Sequence, residues 1–215
     1  MKILLFPAAV VLGASCVASA ASVDVSFSRI TSNSGDNVEA QFLTTVSTVA
    51  GDSTVLDFIF RNAVGVASSI SEIYFDNGLV STLFASGSIV QQVGTAFVYG
   101  SGSPGNLPGG NSLVDSFTVT PGILADAQGN PNVGINSASD LLRIRMALLA
   151  GVTFGSVSDA LASGDLRIGM HVRAIGTGGQ SDSFVTIPPP PMVPLPSGAA
   201  MGFAGLIALS ARRRR

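Results

Sequence analysis

Short segments in which apolar and polar residues alternate run through most of this chain. In SVDVSFSRI, near the N-terminus, Val23, Val25 and Phe27 alternate with serine and aspartate. This period of two indicates a β-strand with one buried face, because successive side chains of a strand point to opposite faces. The same alternation predicts further strands in VEAQFLTTVS, STVLDFIFRN, LLRIRMALL, DLRIGMHVRA and DSFVTI.

The alternation also predicts which side chains are buried. The apolar residues expected to face the core are Leu56, Phe58, Phe60, Leu142, Ile144, Met146, Leu148, Leu166, Ile168, Met170 and Val172. The charged residues between them, among them Arg167, His171 and Arg173, are expected on the outer face. Ile168→Asp should therefore prevent folding, because an unpaired buried carboxylate is severely costly. Arg167→Ser should cost no more than ~0.5 kcal/mol, as a surface change does.

Turn-forming residues divide these segments. SEIYFDNGLVSTLF is predicted to form two strands around Asp76, Asn77 and Gly78, because Asn and Gly tolerate the positive φ of tight turns. The long segment GSGSPGNLPGGNS is expected to be a loop over one end of the domain. Short strands at close spacing predict a single all-β domain: an antiparallel β-sandwich, jelly-roll-like, with one short helix.

The one predicted helix lies in FGSVSDALASG. Ser156 is expected to be its N-cap, with Asp159 at the capping-box position, and Gly164 is expected to end it. Val157 and Leu161 share one face of this helix and should pack on the sheet.

The charge of the chain excludes several classes of function. All thirteen acidic residues lie between Asp24 and Asp182, where six arginines and no lysine accompany them, a net charge of −7. Such a domain has no electrostatic footprint for nucleic acid. The only cysteine, Cys16, lies near the N-terminus, which leaves the rest of the chain without disulfides or a thiol nucleophile.

The N-terminal residues have the layout of a secretory signal peptide. Lys2 precedes an apolar run, and the small residues ASCVASA follow it. Ala18 and Ala20 have the spacing that signal peptidase recognises, so cleavage is expected after Ala20, with Ala21 as the first mature residue. An alternative is a lipoprotein signal with Cys16 as the modified residue.

The C-terminal residues suggest a membrane segment that ends in a basic cluster. The proline-rich TIPPPPMVPLPS is followed by fourteen uncharged residues and then by Arg212, Arg213, Arg214 and Arg215. A membrane-spanning helix usually needs ~17–25 residues, so this segment is short. Arginine clusters remain on the cytoplasmic side, so the acidic domain is expected outside the inner membrane.

The motif Pro194-Leu195-Pro196, the short apolar segment and the arginine cluster resemble the PEP-CTERM sorting signal of diderm bacteria, in its Val-Pro-Leu-Pro variant. The resemblance covers residues 193–215. It extends to segments found in the bodies of such proteins: IYFDNG, SPGNLPGGN, LRIGMHV and SFV. It implies that an exosortase-type membrane protease recognises and removes the tail, and that the protein is associated with the surface or with exopolysaccharide. It implies no catalytic residues.

The sequence predicts no catalytic residue, cofactor or metal ligand. GSGSPG, residues 100–105, matches a dinucleotide fingerprint, but Pro104 and Pro108 prevent the helix that this motif requires. His171 is the only histidine and is expected to be an isolated surface residue. Residues 34–37 and 126–132 offer oxygen ligands for calcium but lack the spacing of a dedicated loop, and ordinary turns explain both.

These observations predict a non-enzymatic, exported protein of the cell surface or extracellular matrix. Its expected parts are a signal peptide (1–20), a β domain (21–187), a proline-rich spacer with the sorting motif (188–197) and a tail that enters the inner membrane transiently (198–215). The expected partners are signal peptidase, an exosortase-type protease and exopolysaccharide. Two alternatives are open: a glycan-binding module, although the chain has no Trp and only two Tyr, and a glycan hydrolase with two carboxylates ~5–10 Å apart.

Overall fold

The computed structural model describes residues 20–76, 78–100 and 106–187. Ten strands make up most of it: β1 (Ser22–Arg29), β2 (Phe42–Val49), β3 (Asp52–Asn62), β4 (Ser69–Asp76), β5 (Phe84–Val93), β6 (Val98–Tyr99), β7 (Val119–Asp126), β8 (Leu141–Leu148), β9 (Ile168–Ile175) and β10 (Gln180–Ile187). Two α-helical segments, α1 (Val80–Leu83) and α2 (Phe154–Ser163), and three short 3-10 turns (Glu39–Gln41, Gly110–Ser112 and Pro131–Val133) complete it. None of the helices in these ranges is long and apolar enough to cross a membrane.

The ten strands form one sheet in the order β5-β8-β3-β2-β1-β10-β9-β4-β7-β6. Every neighbouring pair of strands is antiparallel. The predicted all-β, antiparallel class is therefore confirmed.

Strand β1 joins the two halves of this sheet. Its first four residues pair with β2, Val25 opposite Thr44, and its last four pair with β10, Ser26 opposite Ile187. The halves face each other across one core, in which Phe58 of β3 meets Phe75 of β4 edge-to-face, with ring centroids 5.5 Å apart. Ten of the eleven predicted inward residues are buried: Leu56, Phe58, Phe60, Leu142, Ile144, Met146, Leu166, Ile168, Met170 and Val172. The eleventh, Leu148, is half-buried and packs against this core.

A glutamine side chain bridges the two ends of the sheet, β5 and β6, in place of a backbone ladder. The side-chain amide of Gln92 donates to the Phe97 carbonyl at 3.1 Å and accepts from the Phe97 N–H at 2.6 Å. Nearby, the Tyr99 hydroxyl donates to the sulfur of Met146 at 3.5 Å, and burial raises the pKa of Tyr99 to about 12. These contacts hold the sheet nearly closed.

Helix α2 forms where it was predicted but begins earlier. Thr153, not Ser156, is its N-cap: the Thr153 hydroxyl accepts from the Ser156 N–H, and Ser156 takes the capping-box position predicted for Asp159. Phe154 then lies in the first turn, where it packs against the core. Gly164 ends the helix in the left-handed conformation (φ 81°), as predicted.

The predicted pair of strands around Asp76–Gly78 does not form. Strand β4 ends at Asp76, the helical turn α1 follows, and β5 pairs with β8 while β4 pairs with β7 and β9. The reason is that Val80 and Leu83, three residues apart, both enter the core when this segment is helical. Asn77 lies outside the described residues.

The glycine- and proline-rich loop covers an outer face of the sheet. Of its residues, 101–105 lie outside the described ranges. Leu107 and Phe117 are buried in a second apolar cluster with Tyr74, Leu124 and Val185. Gly169 of β9 permits this packing, since a Cβ there would lie 2.8 Å from Leu107 Cδ2.

Candidate functional site

An open cleft lies where β1 changes partners. Beyond Val25, which is paired with Thr44, the strand leaves β2 and pairs with β10 instead. The 3-10 turn Glu39–Gln41 lies at one end of the resulting gap. The N–H of Phe42 bonds to the Glu39 carbonyl of this turn rather than to β1. The cleft has a volume of about 810 Å³ and is lined by Asp24, Val25, Ser26, Phe27, Asn37, Glu39, Ala40, Phe42, Leu43, Thr44, Thr45 and Arg61.

Two carboxylates on this cleft already have hydrogen-bond partners. Asp24 Oδ1 accepts from the Thr45 hydroxyl at 2.7 Å, across the β1–β2 ladder. Glu39 Oε1 accepts from the N–H of Arg29 at 2.6 Å and so covers part of the strand edge that β2 has left. Each carboxylate has a second oxygen that can accept a bond from a ligand.

Arg61 is the cationic residue of the cleft. It lies on the exposed outer face of β3, opposite Leu43, whose side chain is 50% exposed. Within the described ranges, Arg61 has no carboxylate within 4.0 Å. The other five arginines do: Arg29 approaches Asp182, Arg143 and Arg145 approach Asp57, Arg167 approaches Asp76, and Arg173 approaches Glu72. Arg61 is thus the arginine of the described domain available to a bound anion or polyol.

The backbone of β1 contributes further polar groups to the cleft. The Ile30 N–H donates to Ser183 on the β10 side, whereas the Arg29 N–H donates to Glu39 on the cleft side. Because backbone groups of a strand alternate in direction, the N–H and C=O of Phe27 also point into the cleft. The cleft therefore offers carboxylate, guanidinium, hydroxyl and backbone groups above an apolar floor, an arrangement suited to a small polar ligand.

Two other carboxylates, Asp57 and Asp182, belong to buried ion pairs. Asp57 is 4% exposed and receives two bonds from Arg145, at 2.7 and 2.9 Å. The hydrogen bonds with Asp57 raise the pKa of Arg145 above its ordinary value. Asp182, 1% exposed, accepts from Thr31, Asn33 and Ser34 and so ties the loop after β1 to β10. These carboxylates hold elements of the fold together, and the sequence pattern did not reveal their burial.

His171 is not the isolated surface residue that was predicted. Its Nδ1 lies 2.6 Å from Glu72 Oε2, and Glu72 also accepts from the Tyr74 hydroxyl and from Arg173. Burial raises the pKa of Glu72, but His171, Tyr74 and Arg173 together lower it more, so that it lies below its usual value. Burial and the adjacent Glu72 raise the pKa of Tyr74. Sequence reasoning missed this cluster because Glu72 comes from β4, a hundred residues before β9.

The segments considered for calcium contain turns closed by side-chain hydrogen bonds. Asp126 Oδ1 accepts from the Gln128 N–H, and Asn130 Oδ1 accepts from the Asn132 N–H. Residue Asp36 donates its N–H to the Ser34 hydroxyl. Across residues 20–76, 78–100 and 106–187, no group of three or more His, Cys, Asp or Glu side chains could hold a metal ion.

The residues predicted for export are mostly outside the described ranges. Ala18, Pro194, Leu195, Pro196 and the four arginines 212–215 all lie there, as do most of the signal peptide and the whole spacer and tail. Ala20 and Ala21 are described, and both are exposed.

Comparison of the chain with protein-family models, with curated proteins and with solved structures found no match. Function therefore has to be inferred from the residues and their geometry.

Proposed function

We propose that this protein is a non-enzymatic component of the cell surface or extracellular matrix, exported with a signal peptide and delivered by a PEP-CTERM-like tail. Signal peptidase removes residues 1–20, and an exosortase-type membrane protease acts on the tail. The part that remains at the surface after both cleavages is the acidic β domain, residues 21–187.

One observation carries this proposal: the fold lies between the two predicted processing sites. The first strand begins at Ser22 and the last ends at Ile187. Both sites, at Ala20 and at the Pro194-Leu195-Pro196 motif, are outside all ten strands. Processing at both ends therefore leaves the core and every strand pairing intact.

The use of the charged residues supports a structural role for the domain. Asp57, Asp76 and Asp182 are buried and engaged by arginines or by backbone N–H groups. A carboxylate that serves as a general acid needs a raised pKa in an open cleft, whereas the pKa of Glu72 is lowered by its partners.

The ends of the surface-located protein test the proposal. Its N-terminus should be Ala21, and peptides from residues 201–211 should be missing from the surface fraction in mass spectrometry. A lipid-modified Cys16 at the N-terminus would contradict the signal-peptide interpretation. Abundant peptides from residues 201–211 at the surface would show a permanent anchor instead.

Variants of the tail separate retention from cleavage. Replacing Arg212, Arg213, Arg214 and Arg215 by serine should weaken retention before processing, because each arginine costs ~2.5–3.5 kcal/mol at the membrane centre. Replacing Pro194 and Pro196 by alanine should block cleavage, so that uncut protein accumulates in the inner membrane. The matched control is alanine at Pro189 and Pro190, which lie in the spacer outside the motif. Equal accumulation in the control would assign the effect to spacer stiffness.

A second candidate function is glycan binding in the β1–β2 cleft. The observation that favours it is the set of Asp24, Glu39 and Arg61 around one opening, because carboxylates and guanidinium groups pair well with sugar hydroxyls. A glycan array with the mature protein should then show binding that Arg61→Ala and Asp24→Ala abolish. Asp159→Ala, on the exposed face of α2, is the control. Release of reducing sugars from a bound glycan would indicate a hydrolase instead.

A further inference from the structure

Strand β5 forms one edge of the sheet and has a neighbouring strand on one side only. It stands at the end of the strand order and pairs with β8. On its other side, the side chain of Gln92 contacts Phe97 near β6 in place of a backbone ladder. The backbone N–H and C=O groups along an edge of this kind can pair with a further strand.

This edge lacks the residues that usually protect an exposed strand. Natural proteins place lysine, other charged residues or proline on edge strands, because these prevent pairing with another chain. Strand β5, FASGSIVQQV, has none of them, and no residue from 77 to 114 is charged. In a domain of net charge −7, β5 is therefore a place where a second copy can approach without like-charge repulsion.

Exposed apolar side chains accompany the unpaired edge. In the part of the chain that the structure describes, seven large apolar side chains are exposed, and Val90, Val93 and Val98 of β5 and β6 are three of them. A strand added beside β5 would remove part of this apolar surface from water, which is favourable. The edge thus combines unpaired backbone with apolar contact area.

The regular part of β5 is short. The pairing with β8 skips Ala85 and Val90, which leaves residues 86–89 as an uninterrupted stretch between two irregularities. Such bulges bend a strand and limit the ladder that its edge can form. A Cβ at Gly87 would meet the Tyr99 hydroxyl and the Met146 sulfur, so Tyr99 lies on the core side of this stretch and not along its edge.

A second copy of β5 is the strand that fits this edge. Strand β6, at the other end of the sheet, has only two residues and cannot supply a ladder of this length. Two β5 strands related by a two-fold axis run antiparallel, and each gives the other the same groups. Directly opposite residues of an antiparallel pair share a face. The axis through residues 86–89 therefore passes beside Gly87 or Ser88.

Charges on the next strands permit this approach. In the doubled sheet, β8 of one copy and β8 of the other are separated by three strand spacings, about 14 Å. Arg145 on β8 is the charged residue paired with Ser88, and its guanidinium is bonded to Asp57. The separation exceeds the Debye length of ~8 Å at physiological salt, so repulsion between the two arginines is screened.

From these observations we propose that β5 pairs antiparallel with β5 of a second copy, so that one continuous sheet runs through two domains. The contact is reversible, because the regular ladder is short. It leaves the cleft beside β1, four strands away in the sheet order, open to a ligand. This self-association goes beyond the proposed export function and does not depend on it.

Disulfide trapping of the full-length chain tests the pairing. In a Cys16→Ser background, Ser88→Cys places one thiol per copy at the proposed axis, where opposite Cα atoms lie ~4.5–5.5 Å apart, within reach of a disulfide. The protein is kept in detergent micelles with oxidised glutathione. Dimers of Ser88→Cys, or mixed dimers of Ser86→Cys with Ser88→Cys, should form at least ~tenfold faster than dimers of the control Ser53→Cys.

The control position and a third partner decide between outcomes. Ser53 is an exposed serine on β3, which has strands on both sides. Equal rates at Ser53 and at the two β5 positions would overturn the proposal. Faster mixed dimers of Ser88→Cys with Val98→Cys would overturn it as well, because they would show a head-to-tail contact between β5 and β6.

Sedimentation velocity gives a second, independent measurement. It uses residues 21–187, which contain all ten strands, after cooperative urea unfolding has verified the fold of each variant. The wild-type sedimentation coefficient should rise with protein concentration. Ser88→Asp should weaken association at least ~tenfold, because it places a carboxylate of each copy at the contact, whereas Ser53→Asp should leave it unchanged. A wild type that stays monomeric up to ~1 mM, or equal association of the two variants, would show that β5 is not the interface.

Discussion

Replacing Arg167 by serine distinguishes the structure from the simple interpretation of the alternating pattern. The side chain points outward, as predicted, but it is only 18% exposed. Its Nε donates to Asp76 at 2.6 Å, and its two terminal nitrogens donate to the carbonyls of Asp115 and Ser116 at 2.6 and 2.8 Å. The guanidinium also lies 5.6 Å from the centroid of the Phe117 ring.

The loss of stability in Arg167→Ser depends on the hydrogen bonds that Asp76 keeps. Asp76, whose side chain is 5% exposed, keeps one bond, from the Thr118 N–H, and loses its cation. Each hydrogen bond of the charged guanidinium, to the carboxylate or to a carbonyl, contributes about 1.5–3 kcal/mol. These terms are not additive, so we expect a loss of about 3 kcal/mol, the lower limit for breaking a buried ion pair.

Equilibrium urea unfolding of the mature protein measures this loss. Arg61→Ser is the matched control: an outward arginine on a strand without a carboxylate partner in the described domain, expected to change stability by no more than ~0.5 kcal/mol. A double-mutant cycle with Asp76→Asn isolates the pair itself. If Arg167→Ser and Arg61→Ser lose equal amounts of stability, the Asp76–Arg167 pair does not stabilise the fold.

Three further predictions concern other parts of the domain. Ile168→Asp should abolish the cooperative unfolding transition, because it places a carboxylate at a fully buried position of the apolar core; a normal transition would contradict the assigned register of β9. Gln92→Ala should lower the free energy of unfolding by about 1–3 kcal/mol in the same urea assay, the sum of two lost hydrogen bonds to Phe97. An unchanged unfolding midpoint would mean that the Gln92 bridge between β5 and β6 does not stabilise the fold. The lowered pKa of Glu72 contributes stability that is present above its unfolded pKa of ~4.3 and is lost as pH falls through the lower folded pKa. In Glu72→Gln, the free energy of unfolding should fall less steeply with decreasing pH in this range than in the wild type. An identical pH dependence in the two proteins would show that Glu72 does not contribute.

The cleft and the ion pairs show why function was hard to infer from the sequence. Asp24, Glu39 and Arg61 look like scattered polar residues along the chain. They share one opening only because β1 leaves β2 after Val25 and turns to β10. Partner exchange of this kind depends on the curvature of the whole sheet, which no local pattern encodes.

The alternation of side chains predicted strands β1, β2, β3, β8, β9 and β10 and the core residues that they carry, but not strands β5, β6 and β7. Residues such as Phe58, Ile144 and Met170 are buried where the pattern put them, since a period of two leaves a strand no other way to bury its apolar side. Gly164 ended its helix for an equally local reason, as it adopts a positive φ without steric cost. Composition likewise determined the acidic, lysine-free character of the domain.

Tertiary structure alone decided which strands are neighbours and what the outward charges do. The segment after Asp76 became a helical turn rather than a hairpin, because Val80 and Leu83 gained more burial that way. Helix α2 began at Phe154 because Thr153 could cap it while Phe154 packed on the core. Arg167 and His171 were placed on the correct face, but their partners Asp76 and Glu72 lie about ninety and a hundred residues earlier in the chain. Local propensity acts within a few residues, whereas such pairings depend on the order of strands in the sheet, and only the folded chain determines that order.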